Sequence, residues 1–408
     1  MPFADVGGPT VGFVAIGVSA FALLASGPRL LGHDEYSSLA IAWTVATILG
    51  SGLGAPGEQT VTRVTASGGD PIVSAGVQRR LGVVALLTLV LPLAALTGHG
   101  PMLGGSVLWS SSVVVAAAGW ALLAGPRGRL AAARDFTTYT RTLLSESVVR
   151  LALCGLAWAL PAVAAPALAA AIGVPVVVSA LVARARASVV VVTDPSTASR
   201  AHASEQSFIT AVALLGQVAI STAPLWVQAR ATDVALAGQF VSATSFLRIP
   251  LFLVGGIGTV ALSAVSAAYG VRELDRARRT TQRSTAAAAG IGLAGVVVLL
   301  LVSGPALRLL YGGAIDLGEG TLLAIAVTTV AYMTATVLSL VCFGCDRSRA
   351  VAAVWAVIAT LTTLGLGVWG RSPLGAATVT ACGQVLGVVA LLGVAAVALH
   401  GQVGAARD

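Results

Sequence analysis

The sequence predicts an all-α, polytopic membrane protein of about twelve transmembrane helices, arranged as two six-helix lobes related by a pseudo-two-fold axis along the membrane normal. Three observations carry this. Of 408 residues, 57% are hydrophobic and only 10% charged, where roughly a quarter of the residues of a soluble domain are charged. The apolar residues form long uninterrupted runs near the length of about 20 residues that crosses a bilayer as a helix, and they lack the polar and apolar alternation of barrel strands. The pattern also recurs: an offset of about 198 residues places Pro28 near Pro224 and Asp34-Glu35 near Asp233. Six spans per half is an even number, so both halves share one orientation, the parallel-repeat case.

In chain order, the first lobe (residues 1–190) is expected to hold spans near 11–25, 36–57, 81–96, 102–124, 143–160 and 163–183. A cytoplasmic linker at 191–206 contains Asp194-Pro195 and a run of Ser, Thr and Ala. The second lobe (207–408) is expected to hold spans near 208–222, 234–265, 286–302, 321–342, 351–368 and 374–399. The second and eighth spans are too long for one straight crossing, and glycine or proline interrupts each. Pro250 removes a backbone hydrogen bond and favours a bend; the rival reading splits the eighth span into two re-entrant pieces. The N-terminus has no basic region ahead of its first apolar run, so that run is expected to stay as a helix.

The basic residues set the orientation. All 24 are arginine. With the N-terminus inside, eighteen fall on the inner side and only Arg29, Arg230, Arg308 and Arg371 on the outer. By the positive-inside rule both termini are therefore expected in the cytoplasm and the protein in the plasma membrane. The inner arginine clusters are read as topogenic rather than lipid-binding, and Glu273-Leu-Asp275 beside them as a solvated, salt-bridged face. No loop on either side is long, which argues against a membrane polymerase or ligase of sugar chains.

Two arginines remain inside the expected spans, Arg150 and Arg248. A charge at that depth costs several kcal/mol unless it faces a partner or a wet cavity. Snorkelling to the interface is the plain alternative. No acid falls mid-span on this reading, Glu58 and Glu146 lying near inner ends, so the arginines are expected to be unpaired and to invite an anionic ligand, which guanidinium grips in bidentate fashion. The missing carboxylate also argues against a proton- or sodium-coupled antiporter. Enzyme chemistry is not expected: four scattered histidines have no metal-ligand spacing, no phosphate loop is present, and no cofactor is implied. Cys342 and Cys345 form a C-x-x-C, read as buried small hydrophobes rather than a redox pair.

Several short motifs resemble one family. Leu31-Gly32 with Glu35-Tyr36, then Glu58-Gln59 and Arg63, are similar to the first hairpin of the polysaccharide-export branch of the multidrug/oligosaccharidyl-lipid/polysaccharide flippases. Phe246-Leu-Arg248-Ile-Pro250 resembles that family's Arg-x-Pro segment in the eighth helix, and Val149-Arg150-Leu and Leu310-Tyr311-Gly312 are similar to further family patterns. Ser263 departs from the pattern, standing where relatives often place proline.

The resemblance implies a flippase that carries a polyprenyl-phosphate-linked oligosaccharide from the inner to the outer leaflet. Arg248, Arg150, Arg63 and Arg141 would bind the anionic headgroup, with Glu58, Gln59, Glu146 and Pro250 as charge partners or gating residues. Its partners would be the lipid-linked glycan, membrane lipids and glycan polymerases or glycosyltransferases of the pathway, with no role for nucleic acid. The alternatives are a cation-coupled small-molecule exporter of the same fold and a membrane glycan polymerase or ligase.

Overall fold

The computed structural model describes residues 3–50, 54–66, 107–187, 235–311 and 317–405, with isolated positions between 209 and 227. Among the described residues there are twelve α-helices, one short 3-10 turn and no strand. The first half supplies α1 (Phe3–Leu30), α2 (His33–Leu49), α3 (Ala55–Ala66), α4 (Val107–Ala132), α5 (Phe136–Ala159) and α6 (Ala164–Ala187). The second half supplies α7 (Ala235–Leu247), α8 (Ile249–Gly270), α9 (Leu274–Tyr311), α10 (Glu319–Gly344), α11 (Ser348–Trp369) and α12 (Pro373–Ala405). Nine of the described helices are long and apolar enough to cross a membrane, and Ser38–Leu49 is a shorter apolar helix. The expected span at 81–96, the linker at 191–206 and most of the span at 208–222 lie outside the described residues.

Several helices run past their expected ends, because a helix does not stop where its apolar run meets the membrane surface. α4 continues through Pro126 to Ala132 and takes Arg127 with it. α5 begins at Phe136, seven residues before the expected start, with Asp135 accepting a 3.0 Å hydrogen bond from the Thr138 amide as its cap. This cap satisfies one of the donors that every helix N-terminus exposes. α9 starts at Leu274 rather than near 286 and spans 38 residues.

Both long spans divide into two described helices. α2 ends at its cap, Gly50, and α3 follows from Gly54, both of π-type backbone, with Trp120 packed against both glycines; residues 51–53 lie outside the described residues. The eighth span divides into α7 and α8 at Arg248, whose backbone lies at φ −87°, ψ 1°. The break falls two residues before Pro250, since proline takes away the hydrogen bond to residue 246 and crowds its carbonyl. The Leu251 amide then bonds to the Arg248 carbonyl at 2.9 Å, tightening one turn and keeping the two pieces in sequence as a kinked rod.

The buried apolar side chains group by half. Leu23, Leu39, Trp109, Leu168 and Ile172 pack in one core, while Leu338, Phe343, Trp355 and Leu391 pack in another. The halves meet along α1 and α8. A Cβ on Gly17 would run into the Phe252 ring, and one on Gly256 would lie 2.5 Å from Thr10 Oγ1 and 2.6 Å from its backbone nitrogen. Backbone cannot swing aside as a side chain can, so Gly256→Val should push α1 and α8 apart. The expected cost is about 1–3 kcal/mol, the range for overpacking, read as a lowered Tm in detergent. An unchanged Tm would contradict this close seam.

Candidate functional site

α5 carries the site. Tyr139, Thr142, Glu146 and Arg150 recur at helical spacing and are buried together on the inward face of α5. Because α5 starts at Phe136, Glu146 stands ten residues inside it, roughly 15 Å from the helix start at 1.5 Å per residue. The expectation that no acid lies mid-span therefore fails at Glu146, which is 1% exposed.

Arg150 is not unpaired. Its Nε donates to the Ala171 carbonyl at 3.1 Å, one terminal nitrogen to Ser19 Oγ at 3.1 Å and the other to Glu146 Oε1 at 3.0 Å. The guanidinium also lies 5.4 Å from the centre of the Trp43 ring, a cation–π contact. Every nitrogen of Arg150 is thus engaged by helices of the first half, and the residue is 2% exposed. This corrects the expectation of an open, anion-seeking cation, because Glu146, four residues earlier on α5, supplies the counter-charge.

The second arginine at this carboxylate is Arg127, which the sequence placed in a loop. It is 2% exposed. Arg127 approaches Glu146 Oε2 at 3.5 Å, donates to Ser179 Oγ at 3.0 Å and lies 5.7 Å from the centre of the Tyr139 ring. Ser179 passes the network on to the Thr142 carbonyl at 2.8 Å. The Tyr139 hydroxyl donates to Glu58 Oε1 at 2.7 Å. Glu58 reaches it because α3 packs closely on α4: a Cβ on Gly128 would come within 2.6 Å of the Glu58 carbonyl. Two arginines are thus matched by two carboxylates, Glu58 and Glu146, so the cluster carries no formal surplus of positive charge for an anion.

Arg248 stands apart. It is half-buried at the junction of α7 and α8, with its guanidinium 5.3 Å from the centre of the Tyr332 ring on α10. α1 separates it from Arg150. Ser19 of α1 meets Arg150, whereas Gly17 and Phe21 meet Phe252 and Phe246 on either side of Arg248 in sequence. The two arginines therefore do not share one cavity. Pro250 is buried beside Gly295 of α9.

Arg63, expected at an open inner mouth, instead joins the halves. It donates to Asp346 Oδ1 at 3.1 Å and to Ser348 Oγ at 3.2 Å, in the turn between α10 and α11. Asp346 is 60% exposed, and such pairs are worth only about 0.2–1 kcal/mol. Arg63→Ala should accordingly leave Tm nearly unchanged while raising alkylation of a cysteine placed at Ala66 up to about fivefold, the population shift that 1 kcal/mol allows. The exchange Arg63→Asp with Asp346→Arg should restore protection; continued exposure in the exchanged protein would exclude a latch.

Arg141 is exposed on α5. Gln59 is half-buried, its Oε1 enclosed without a hydrogen-bond partner. Glu273 and Arg276 form the expected exposed pair at 3.0 Å. Cys342 and Cys345 are both free and buried, and burial pushes the Cys345 thiol up to about 11, against a smaller opposing pull from Arg347. A thiol held protonated is a poor redox nucleophile. Sequence reasoning missed Arg127, Tyr139, Ser179, Tyr332 and Asp346. Arg127 could have been found by letting the fourth helix run through Pro126, while Asp346 leaves no local signal.

The fold and site define a polytopic membrane protein with a charged cluster buried largely within its first half. Residues 210–369, less than half of the chain, match the MatE family model. An outward-facing multidrug-resistance MATE transporter of the MOP superfamily superposes with a TM-score of 0.71 at 15% identity, covering 99% of this chain and 96% of that one. A Vibrio cholerae MATE transporter gives 0.69 at 15% identity over 98% and 97%. A MOP superfamily transporter from Pyrococcus furiosus, described as having a binding pocket of reverse polarity that suggests a different function, gives 0.66 at 14% over 99% and 96%. No curated protein sequence matches this chain. The chain thus has the fold of MATE transporters from end to end, and a MatE match in its second half. The polysaccharide-export branch rests on the short motifs alone.

Proposed function

We propose that the protein is a membrane exporter of the MATE type, exposing a site between residues 1–190 and 207–408 to one side of the membrane and then the other, with both termini cytoplasmic. Transport, rather than catalysis, is the role of the relatives that share its fold. Within the site the two carboxylates have different tasks. Glu146 is gripped by two guanidiniums, whose contacts any incoming cation would have to displace. Glu58 is partly buried and accepts its hydrogen bond from the neutral Tyr139 hydroxyl, with Arg127 as a further electrostatic neighbour, so it is the better placed of the two to take up and release a proton or sodium ion as the halves rock. That contrast carries the reading of a cation-coupled small-molecule exporter, and it removes the objection that no carboxylate lies at depth.

The second reading is the lipid-linked glycan flippase, favoured by the half-buried Arg248 at the helix break. Here an anionic headgroup would meet Arg248 from the second half, and glycosyltransferases or a polymerase would act beside the protein. Reconstituted vesicles separate the two. An imposed proton or sodium gradient should drive efflux of a cationic dye. If no gradient moves any dye while a polyprenyl-pyrophosphate glycan crosses between leaflets, the flippase reading replaces the first.

A further inference from the structure

The first three turns of α9 extend beyond any need to cross the membrane. At 1.5 Å per residue, Arg283 and Arg308 lie about 37 Å apart along the axis, enough to bracket a hydrocarbon core of about 30 Å between its headgroup layers. Arg279 and Arg276 then lie about 6 and 10 Å further out, at headgroup depth. Arg276, Arg279 and Arg283 are exposed, as is Arg278, which points away from the other three at about 100° per residue.

Their direction is the informative feature. At about 100° per residue, Arg276, Arg279 and Arg283 fall within one arc of about 60°, and Gly290, Val297 and Leu301 fall within the same arc. Val297 is 48% and Leu301 80% exposed. Ala277, Thr281, Ser284, Ala288 and Val296 are buried, and they occupy the opposite side. The arginine stripe is thus the direct continuation of the apolar face that α9 turns to lipid, and it faces neither the seam between the halves nor the charged cluster. A purely topogenic charge needs only to lie near a span end. It does not need to share the lipid-facing arc.

We propose that Arg276, Arg279 and Arg283 form a binding stripe for anionic phospholipid headgroups of the leaflet at this end of α9, with the acyl chains lying along Gly290, Val297 and Leu301. The occupant follows from charge complementarity and from continuity with the lipid-facing surface. Glu273 pairs with Arg276 at 3.0 Å and tempers that residue, so Arg279 and Arg283 carry more of the attraction. Guanidinium holds phosphate oxygens in a fork.

The test uses the full chain in symmetric bilayers, so orientation does not enter. Phospholipids with spin-labelled phosphatidylglycerol or phosphatidylcholine headgroups are compared for their protein-restricted fraction, in wild type, in Arg276→Gln/Arg279→Gln/Arg283→Gln and in the remote variant Arg371→Gln. Wild type and Arg371→Gln should favour phosphatidylglycerol. The triple variant should lose up to about fivefold in selectivity per arginine, following the roughly 1 kcal/mol that one basic residue gains at an anionic surface. Restoring charge with lysine at all three positions should recover most of the preference, which distinguishes lost binding from misfolding. Equal selectivity in wild type and in the triple glutamine variant would overturn the proposal, as would a preference that 0.5 M salt leaves unchanged.

Discussion

Glu146→Ala is expected to be the most destabilising single change in the protein. It leaves Arg127 and Arg150, each 2% exposed, as two like charges in a water-poor interior without the carboxylate that lies between them. Removing one partner of a buried ion pair typically costs about 3–5 kcal/mol, because the remaining charge stays desolvated. Here two charges are left. Arg150→Met should cost less, since Glu146 keeps Arg127, and the removed cation takes its own desolvation penalty with it. The ranking, read by thermal unfolding in detergent, is the informative result: Glu146→Ala well below Arg150→Met. Equal losses would mean that packing around Trp43 and Ser19, rather than charge, holds this region together.

Glu58→Gln is expected to have the largest effect on transport. The glutamine keeps size and can still accept the Tyr139 hydrogen bond, so stability should change by less than about 1 kcal/mol, the net worth of one hydrogen bond. It cannot take up a proton or bind a sodium ion as a carboxylate does. Gradient-driven efflux should therefore fall by tenfold or more while passive exchange of substrate down its own gradient persists. Tyr139→Phe separates positioning from exchange. It removes the hydroxyl donor at 2.7 Å but leaves the carboxylate, so coupled transport should continue with a shifted pH dependence. Full gradient-driven activity in Glu58→Gln would assign the coupling to another group.

The fold was legible in the sequence because hydropathy is a property of whole segments, and twenty apolar residues announce a span however their ends are drawn. The ends were less legible, and they decided the chemistry. Pro126-Arg127-Gly128 looks like loop punctuation, yet α4 carries it inside the bundle, where Ser179 and Glu146 receive the guanidinium. Starting α5 at Leu143 put Glu146 near a membrane face; starting it at Phe136 puts the same residue at depth and turns Arg150 from an open cation into a paired one. Arg150 and Arg248 were both visible as charges in apolar runs. Their opposite placements about α1 were not, since no local pattern states which neighbour a helix face will meet. The ion pair between Arg63 and Asp346 joins residues far apart in the chain and has no sequence signature of its own.

The proposed alternation requires the halves to separate at the Arg63–Asp346 seam during transport. It is tested most directly by pulsed electron resonance on spin labels at positions 66 and 349, one on α3 and one on α11, in lipid discs with and without substrate at two pH values. The account predicts two distance populations, with the longer one rising when Glu58 changes its occupancy and trapped at one extreme in Glu58→Gln. A single unchanged distance under all conditions, in protein that still transports, would contradict it.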